Sequence, residues 1–291
     1  MVIDKVNSIK KLSPQTKRIV RDVLENFSAS GGRGLPRGLA LSATLSEIMM
    51  EAFDREITST PGVFYYARYV DDIIVITCGS EQPKPFLKKL SRQLPSGLQL
   101  NRKKESISPA LDSTPFKVTP LNPTSPEILS FEYLGYGFKV YEPTKRYERR
   151  DVVLDVADSK IKKIKTRIVK AIIDYCRGRD FELLESRFKF LTSNFSIPDI
   201  NRGGYRLAGI YHNYHRIDGA KSLALDELDR FLKLSVLSGA GKLFNDFYLA
   251  TTSVQRRRLA AFSFKRGFNE RTYLYFSRTQ LALIGDCWKY A

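Results

Sequence analysis

Two adjacent aspartates, Asp71 and Asp72, stand between two short apolar runs at residues 63–70 and 73–77. Strand interiors disfavour aspartate, and neighbouring like charges cost free energy unless a cation compensates them. Mg²⁺ prefers carboxylate oxygens together with substrate phosphates, and two such ions about 4 Å apart can activate an attacking hydroxyl and stabilise a departing phosphate group. The pair therefore predicts a metal site for phosphoryl chemistry. The alternative is an ordinary polar turn that binds no ligand.

The apolar runs beside the pair predict a β-hairpin that carries the carboxylates at its tip. A glycine-rich loop at residues 31–38 and a helix at 39–57 come before it, and glycines at 34 and 38 would let backbone approach a ligand closely. The other elements predicted in this half are a helix that opens at Ser13-Pro14, a helix at 83–94, a strand at 98–100, an irregular connector at 106–127 and a second hairpin, 128–133 with 136–141, around Leu134-Gly135.

The second half of the chain has a helical pattern after about residue 155. A helix at 158–175 combines one apolar stripe with lysines and an arginine on most of its remaining surface, which indicates contact with a polyanion; the alternative is a solvated amphipathic helix. Further helices are predicted at 180–194, 205–216, 222–238, 253–263 and 270–288. The predicted fold class is α+β, with hairpins packed on helices in residues 1–150 and an all-α region in residues 151–291.

The composition indicates a folded, strongly basic protein. Of 291 residues, 43% are hydrophobic and 12% aromatic, which is enough for a packed core. The formal net charge of +17 is spread over both halves and indicates a nucleic-acid partner before an anionic membrane. Three widely spaced cysteines, no apolar run of membrane-spanning length and no signal segment predict a cytoplasmic protein without disulfides or structural zinc.

The motif Tyr69-Val70-Asp71-Asp72 between apolar runs resembles the signature of reverse transcriptases, the RNA-directed DNA polymerases. Three further blocks resemble that family and follow in its order: Gly34-Leu35-Pro36-Arg37-Gly38 with a helix that bears Ser42, Leu100-Asn101-Arg102-Lys103-Lys104, and Phe131-Glu132-Tyr133-Leu134-Gly135-Tyr136. The resemblance implies a right-hand polymerase palm in residues 1–150 and a helical thumb with a C-terminal region in residues 151–291. It also implies RNA template, DNA primer and dNTPs as partners.

The resemblance assigns roles to individual residues. Asp71 and Asp72 would be catalytic and hold Mg²⁺, with Mn²⁺ as a substitute, and Lys104 would act at the departing pyrophosphate, with Lys103 as its rival. Nucleotide and template would be bound by Gly34, Pro36, Arg37, Gly38 and Tyr69. The primer end would be gripped by Leu134, Gly135 and Tyr136.

The family pattern also departs from this sequence. The upstream block with a further catalytic aspartate is not recognisable, and the fingers subdomain is expected to be missing, so we expect an incomplete palm. Asp4 is a poor match for that aspartate. An alternative function is therefore a catalytically inactive nucleic-acid-binding or scaffold subunit, as a homo-oligomer or beside a complete polymerase. RNA-templated RNA synthesis is a third possibility. The motif style, including Ala67-Arg68-Tyr69, is most similar to bacterial abortive-infection and anti-phage defence enzymes, ahead of retron and group II intron types.

Overall fold

The computed structural model describes residues 2–36, 38–102, 105–108, 126–143, 149–199 and 204–289. The chain divides into two compact units, residues 1–112 and residues 113–291. Each unit buries hydrophobic cores of its own. The predicted boundary near residue 150 does not coincide with this division, and as a statement about polymerase subdomains it stays a prediction.

The first unit contains helices around one β-hairpin. Its elements are α1 (Val2–Ser8), α2 (Pro14–Ala29), α3 (Ala40–Thr58), β1 (Val63–Tyr69), β2 (Asp72–Thr77) and α4 (Pro83–Gln93). The predicted start of α2 is confirmed, because the Ser13 side chain accepts a hydrogen bond from the Thr16 backbone N–H and Pro14 opens the first turn. The helices predicted at 39–57 and 83–94 and the hairpin at the aspartate pair are also confirmed.

Helix α3 contributes to both cores of the first unit. Near its N-terminus Leu45 packs with buried side chains of α1 and α2. Further along, Phe53 and Ile57 pack with α4 and with the inner face of the β1–β2 hairpin, where the rings of Phe53 and Tyr66 meet edge-on with centroids 6.3 Å apart. The position of the hairpin in this unit is thus set by α3.

The second unit begins with an antiparallel meander in the order β3 (Glu127–Tyr133), β4 (Tyr136–Tyr141) and β5 (Asp151–Val156). The hairpin β3–β4 is the second hairpin predicted from the sequence. Strand β5 was not predicted; its last residue, Val156, pairs with Tyr136 and leads directly into the next helix. One strand therefore connects the second hairpin to the basic helix.

The rest of the second unit is mainly helical around a single large core. Its elements are α5 (Asp158–Gly178), α6 (Phe181–Thr192), β6 (Asn194–Asp199), β7 (Gly204–Gly209), α7 (Ile210–Tyr214), α8 (Leu223–Leu237), α9 (Lys242–Ala250), α10 (Ser253–Ala260), α11 (Phe264–Asn269) and α12 (Arg278–Asp286). None of the helices in the described ranges is both long and apolar enough to cross a membrane.

The prediction of an all-α region after residue 150 is wrong, because β6 and β7 form an antiparallel hairpin inside it. The helix predicted at 205–216 starts only at Ile210. Strand geometry prevails before it because Phe195 and Ala208 pair and both enter the core, and because Gly209 has a φ of 118°. The helix predicted at 270–288 begins only at Arg278.

The strand predicted at 98–100 is also wrong. Leu100 packs against the core shared by α3 and the first hairpin, but it does so without a ladder partner among the described residues. An extended apolar segment needs a neighbouring strand before it becomes part of a sheet. Most of the connector predicted at 106–127 lies outside the described residues.

Candidate active site and nucleic-acid interface

The carboxylate pair lies at the tip of the β1–β2 hairpin, as predicted. Tyr69 pairs with Asp72, so Val70 and Asp71 form a two-residue loop. Val70 has a φ of 58°, in the left-handed region that the tight hairpin turns require at their first loop position. A β-branched residue rarely adopts this conformation, so contacts around the tip must hold it there.

The two faces of the hairpin have different surroundings. Directly opposed pairs, Tyr66 with Val75 and Arg68 with Ile73, lie on the face that packs on α3 and α4. The pair Tyr69 and Asp72 lies on the other face, where both residues are exposed. The hairpin therefore presents Asp72 and the Tyr69 ring to solvent from a strand pair whose back is anchored in a core.

Arg68 connects the back of the hairpin to α3 through the carboxylates of Glu47 and Asp54. Its side chain is 4% exposed, and Tyr66 donates a further hydrogen bond of 2.5 Å to Asp54. Burial acts to raise the pKa of Asp54, but the hydrogen bonds from Arg68 and Tyr66 outweigh it, so the pKa lies below its usual value. The hydrogen bonds to Asp54 and Glu47 raise the pKa of Arg68, so its positive charge is permanent.

The donor set at the tip fits Mg²⁺ that is shared with a nucleotide. The described residues contain no group of three or more His, Cys, Asp or Glu side chains arranged to hold a metal ion. Two adjacent exposed carboxylates nevertheless match the way Mg²⁺ is commonly bound, by one or two carboxylates plus substrate phosphates and water. Asp71 and Asp72 could supply these carboxylates.

The glycine-rich loop is tied to the start of α3. Pro36 is buried, and its carbonyl accepts a hydrogen bond from the Ser42 hydroxyl. Gly34 and Gly38 have φ values of 79° and 85°, and a Cβ at either position would meet no other atom within 4 Å, so this backbone is open to a ligand. Arg37, Lys103 and Lys104 lie outside the described residues, and their roles stay predictions.

The tip of the second hairpin is bound to the N-terminus of α5. Leu134 and Gly135 form its loop with φ values of 51° and 85°, and the Gly135 carbonyl accepts a hydrogen bond of 3.0 Å from Ala157 N–H. The Glu132 carboxylate accepts hydrogen bonds from the backbone N–H and the hydroxyl of Ser159, at 3.0 and 2.5 Å. Glu132 thus caps α5 from a neighbouring strand.

A basic groove of about 370 Å³ lies between this hairpin tip, α5 and α7. Its lining residues are Leu134, Gly135, Lys160, Lys163, Ile164, Arg167, Asn213 and Tyr214. The three cations recur every three or four residues and so share one face of α5. Burial raises the pKa of Tyr214, so its hydroxyl stays protonated and is available as a hydrogen-bond donor.

Two predicted contact residues have different positions. Tyr136 packs partly buried against the core, with its ring edge-on to Tyr214 at 6.1 Å. Lys165 forms an ion pair of 2.5 Å with Glu227 and lies over the Phe231 ring, so it faces α8 and not the groove. The sequence pattern of α5 did not distinguish Lys165 from Lys163, because both lie outside its apolar stripe.

The structure thus places the carboxylate pair, Tyr69 and the glycine-rich loop in the first unit, and the primer-hairpin residues in the second. Sequence reasoning missed Glu47, Asp54 and Glu132 as supports of the two hairpin tips. It also missed Asn213 and Tyr214 in the groove. The only local signal for the first three was a charged residue beside an otherwise apolar pattern.

Comparison with protein families gives a match for the part of the chain that contains both hairpins. Residues 5–138, slightly less than half of the chain, match the family model described as Reverse transcriptase (RNA-dependent DNA polymerase). No curated protein and no solved structure matches the chain. The match supports a nucleotidyltransferase as the class of protein. Within that class it supports an RNA-directed DNA polymerase domain in residues 5–138, and such a domain implies binding of nucleic acid.

Proposed function

We propose that this chain synthesises DNA on an RNA template, with divalent metal ions held by Asp71 and Asp72. The observation that carries the proposal is the exposed carboxylate pair on a hairpin tip that is anchored in a core, inside the segment that matches the reverse transcriptase family. Mg²⁺ is the expected ion and Mn²⁺ its substitute. When bound, such ions supply activation of the primer 3′-hydroxyl and stabilisation of the leaving pyrophosphate.

The chain's own groups orient the reactants in this proposal. The open backbone at Gly34 and Gly38 would lie against the nucleotide or template, and the exposed Tyr69 ring would offer an apolar surface beside the carboxylates. Arg37 would contribute to the same nucleotide and template site, and Lys104 would donate a proton to the departing pyrophosphate.

The second unit would hold the primer strand. Leu134 and Gly135 at the tip of the second hairpin would contact the primer end, and the cations of the groove would neutralise its phosphates. Such contacts are sequence-independent and sensitive to salt. Buried Tyr136 would support the tip from behind.

The decisive experiment is primer extension with dNTPs on an RNA template by the full 291-residue chain. Asp71→Asn and Asp72→Asn should each reduce the rate by roughly 100-fold or more, because each removes a charged metal ligand but retains the shape of the side chain. Asp22→Asn is the matched control, since Asp22 is an exposed carboxylate of the same unit on α2. Unchanged extension by Asp71→Asn would refute the assignment.

A catalytically inactive nucleic-acid-binding subunit is the other outcome of the same experiment. It would show salt-dependent binding of primer–template by the wild-type chain but no incorporation with Mg²⁺ or Mn²⁺. Replacing dNTPs by rNTPs tests RNA synthesis.

The biological setting we propose is bacterial anti-phage defence, on the strength of the motif Ala67-Arg68-Tyr69 followed by the carboxylate turn. Cells that express the wild-type chain should plate phage less efficiently than cells that express Asp71→Asn. Equal plating on both would speak against a defence role that depends on catalysis.

A further inference from the structure

We propose that Arg68 is a positioning residue that fixes the carboxylate turn to helix α3. The proposal rests on the proposed function, because it concerns the metal-binding competence of Asp71 and Asp72. Arg68 itself lies behind the hairpin and does not reach the exposed face that carries Asp72.

All five N–H groups of the Arg68 guanidinium have an acceptor. Nε and Nη2 donate to the two oxygens of Asp54 at 2.8 and 2.7 Å. Nη1 and Nη2 donate to the two oxygens of Glu47 at 3.0 and 2.7 Å. The remaining donor on Nη1 points at the turn, where the carbonyl oxygen of Val70 accepts at 3.0 Å. Four of the five bonds thus hold the guanidinium on α3, and the fifth holds the turn.

The Val70 carbonyl is an effective point at which to fix the turn. A peptide unit is planar, so a bond to the Val70 carbonyl sets the orientation of the whole plane that ends at the Asp71 Cα. Val70 is also the residue with the unfavourable φ of 58°. Loss of the bond would let the turn relax toward more favourable conformations, and the direction of the Asp71 side chain would change with it.

A purely structural role for the same cluster can be separated from positioning. Tyr66 donates to the same Asp54 carboxylate at 2.5 Å from the same face of the hairpin, but it does not contact the turn. Tyr66→Phe therefore disturbs the cluster and leaves the Arg68–Val70 bond in place. Arg68→Lys keeps the positive charge but cannot provide five donors in a fixed fork.

The test measures Mn²⁺ binding to the full chain with primer–template and a dNTP by electron paramagnetic resonance, so that the readout does not depend on turnover. Arg68→Lys should weaken Mn²⁺ binding about tenfold, in keeping with the loss of a charge-assisted hydrogen bond that orients a ligand. Tyr66→Phe should change it less than about twofold, since that bond does not reach the turn. The affinity for primer–template should stay the same in both variants.

Glu47→Ala provides a second variant in case Arg68→Lys does not fold. Glu47 is 61% exposed, so its removal takes two acceptors from Arg68 without emptying a buried site. It should weaken Mn²⁺ binding in the same direction by a smaller factor. Wild-type far-UV circular dichroism in each variant confirms that the comparison is made between folded proteins.

The outcomes distinguish this inference from the proposed function. If Asp71→Asn leaves Mn²⁺ binding unchanged, or if the wild-type chain binds none, the proposed function fails. If Asp71→Asn abolishes binding but Arg68→Lys and Glu47→Ala behave like Tyr66→Phe, the positioning role of Arg68 alone is wrong.

Discussion

Replacement of Lys163 by glutamine should reduce the salt dependence of primer–template binding. Lys163 lines the basic groove together with Lys160 and Arg167, at the tip of the second hairpin. Its side chain is exposed and forms no ion pair with the described part of the chain, so it is available to a phosphate group. Neutralisation of one phosphate by one lysine releases counterions from the nucleic acid.

The magnitude follows from the number of phosphates lost. Each phosphate contact contributes about 0.9 to the slope of log affinity against log salt concentration for a duplex. Loss of one contact should therefore flatten the slope by about 0.9. Between roughly 50 and 200 mM salt, the wild-type affinity should fall about 3.5-fold further than that of the variant.

The assay is fluorescence anisotropy of a labelled primer–template at several salt concentrations. Lys221→Gln is the matched control, because Lys221 belongs to the same unit, is 86% exposed and changes the net charge equally. It lies outside the groove, so its slope should equal that of the wild type. If Lys163→Gln and Lys221→Gln shift the slope equally, binding follows overall charge and the groove is not the phosphate site.

Two further predictions concern stability. Gly267→Ala in α11 should destabilise the second unit by about 3 kcal/mol or more, because its Cβ would overlap the Thr192 carbonyl oxygen, whereas Gly285→Ala in α12 meets open space and should stabilise by about 0.5–1 kcal/mol. Trp288 fluorescence during urea unfolding measures both, and equal effects would refute the steric argument. Asp54→Asn should cost stability at neutral pH. Because the native pKa of Asp54 lies below its usual 3.8, this stabilisation is complete above that value and is lost as the pH falls through the native pKa. The two stability curves should therefore converge only in acid; convergence already at about pH 6 would contradict the assignment.

Elements with strong local signals were predicted well. The hairpin at the aspartate pair and the second hairpin around Leu134-Gly135 were identified from apolar runs that flank short loops. Helix α2 was identified from its capping serine and proline. In these segments the residues that determine the structure are close neighbours in the sequence.

Elements that depend on distant partners were missed. Strand β7 lies in a segment whose tyrosines and leucine also fit a helix, and only its pairing with β6 and the entry of Ala208 into the core make it a strand. The supports of the catalytic turn are similar. Glu47 and Asp54 precede Arg68 by 21 and 14 residues, so no local pattern connects them. For the same reason Lys165 could not be separated from Lys163 without knowledge of Glu227 on α8.

Helix α3 emerges as the element that relates the two nucleotide-binding features of the first unit. Ser42 near its start holds the glycine-rich loop through the Pro36 carbonyl, and Asp54 near its end holds Arg68 and thereby the turn. The twelve residues between these two positions span about 18 Å of helix. Because an α-helix that is packed into two cores on its length is difficult to bend, the loop and the carboxylates should keep a fixed separation in the absence of substrate. The first unit would then present a preformed site, and its binding energy would not be spent on ordering these two segments.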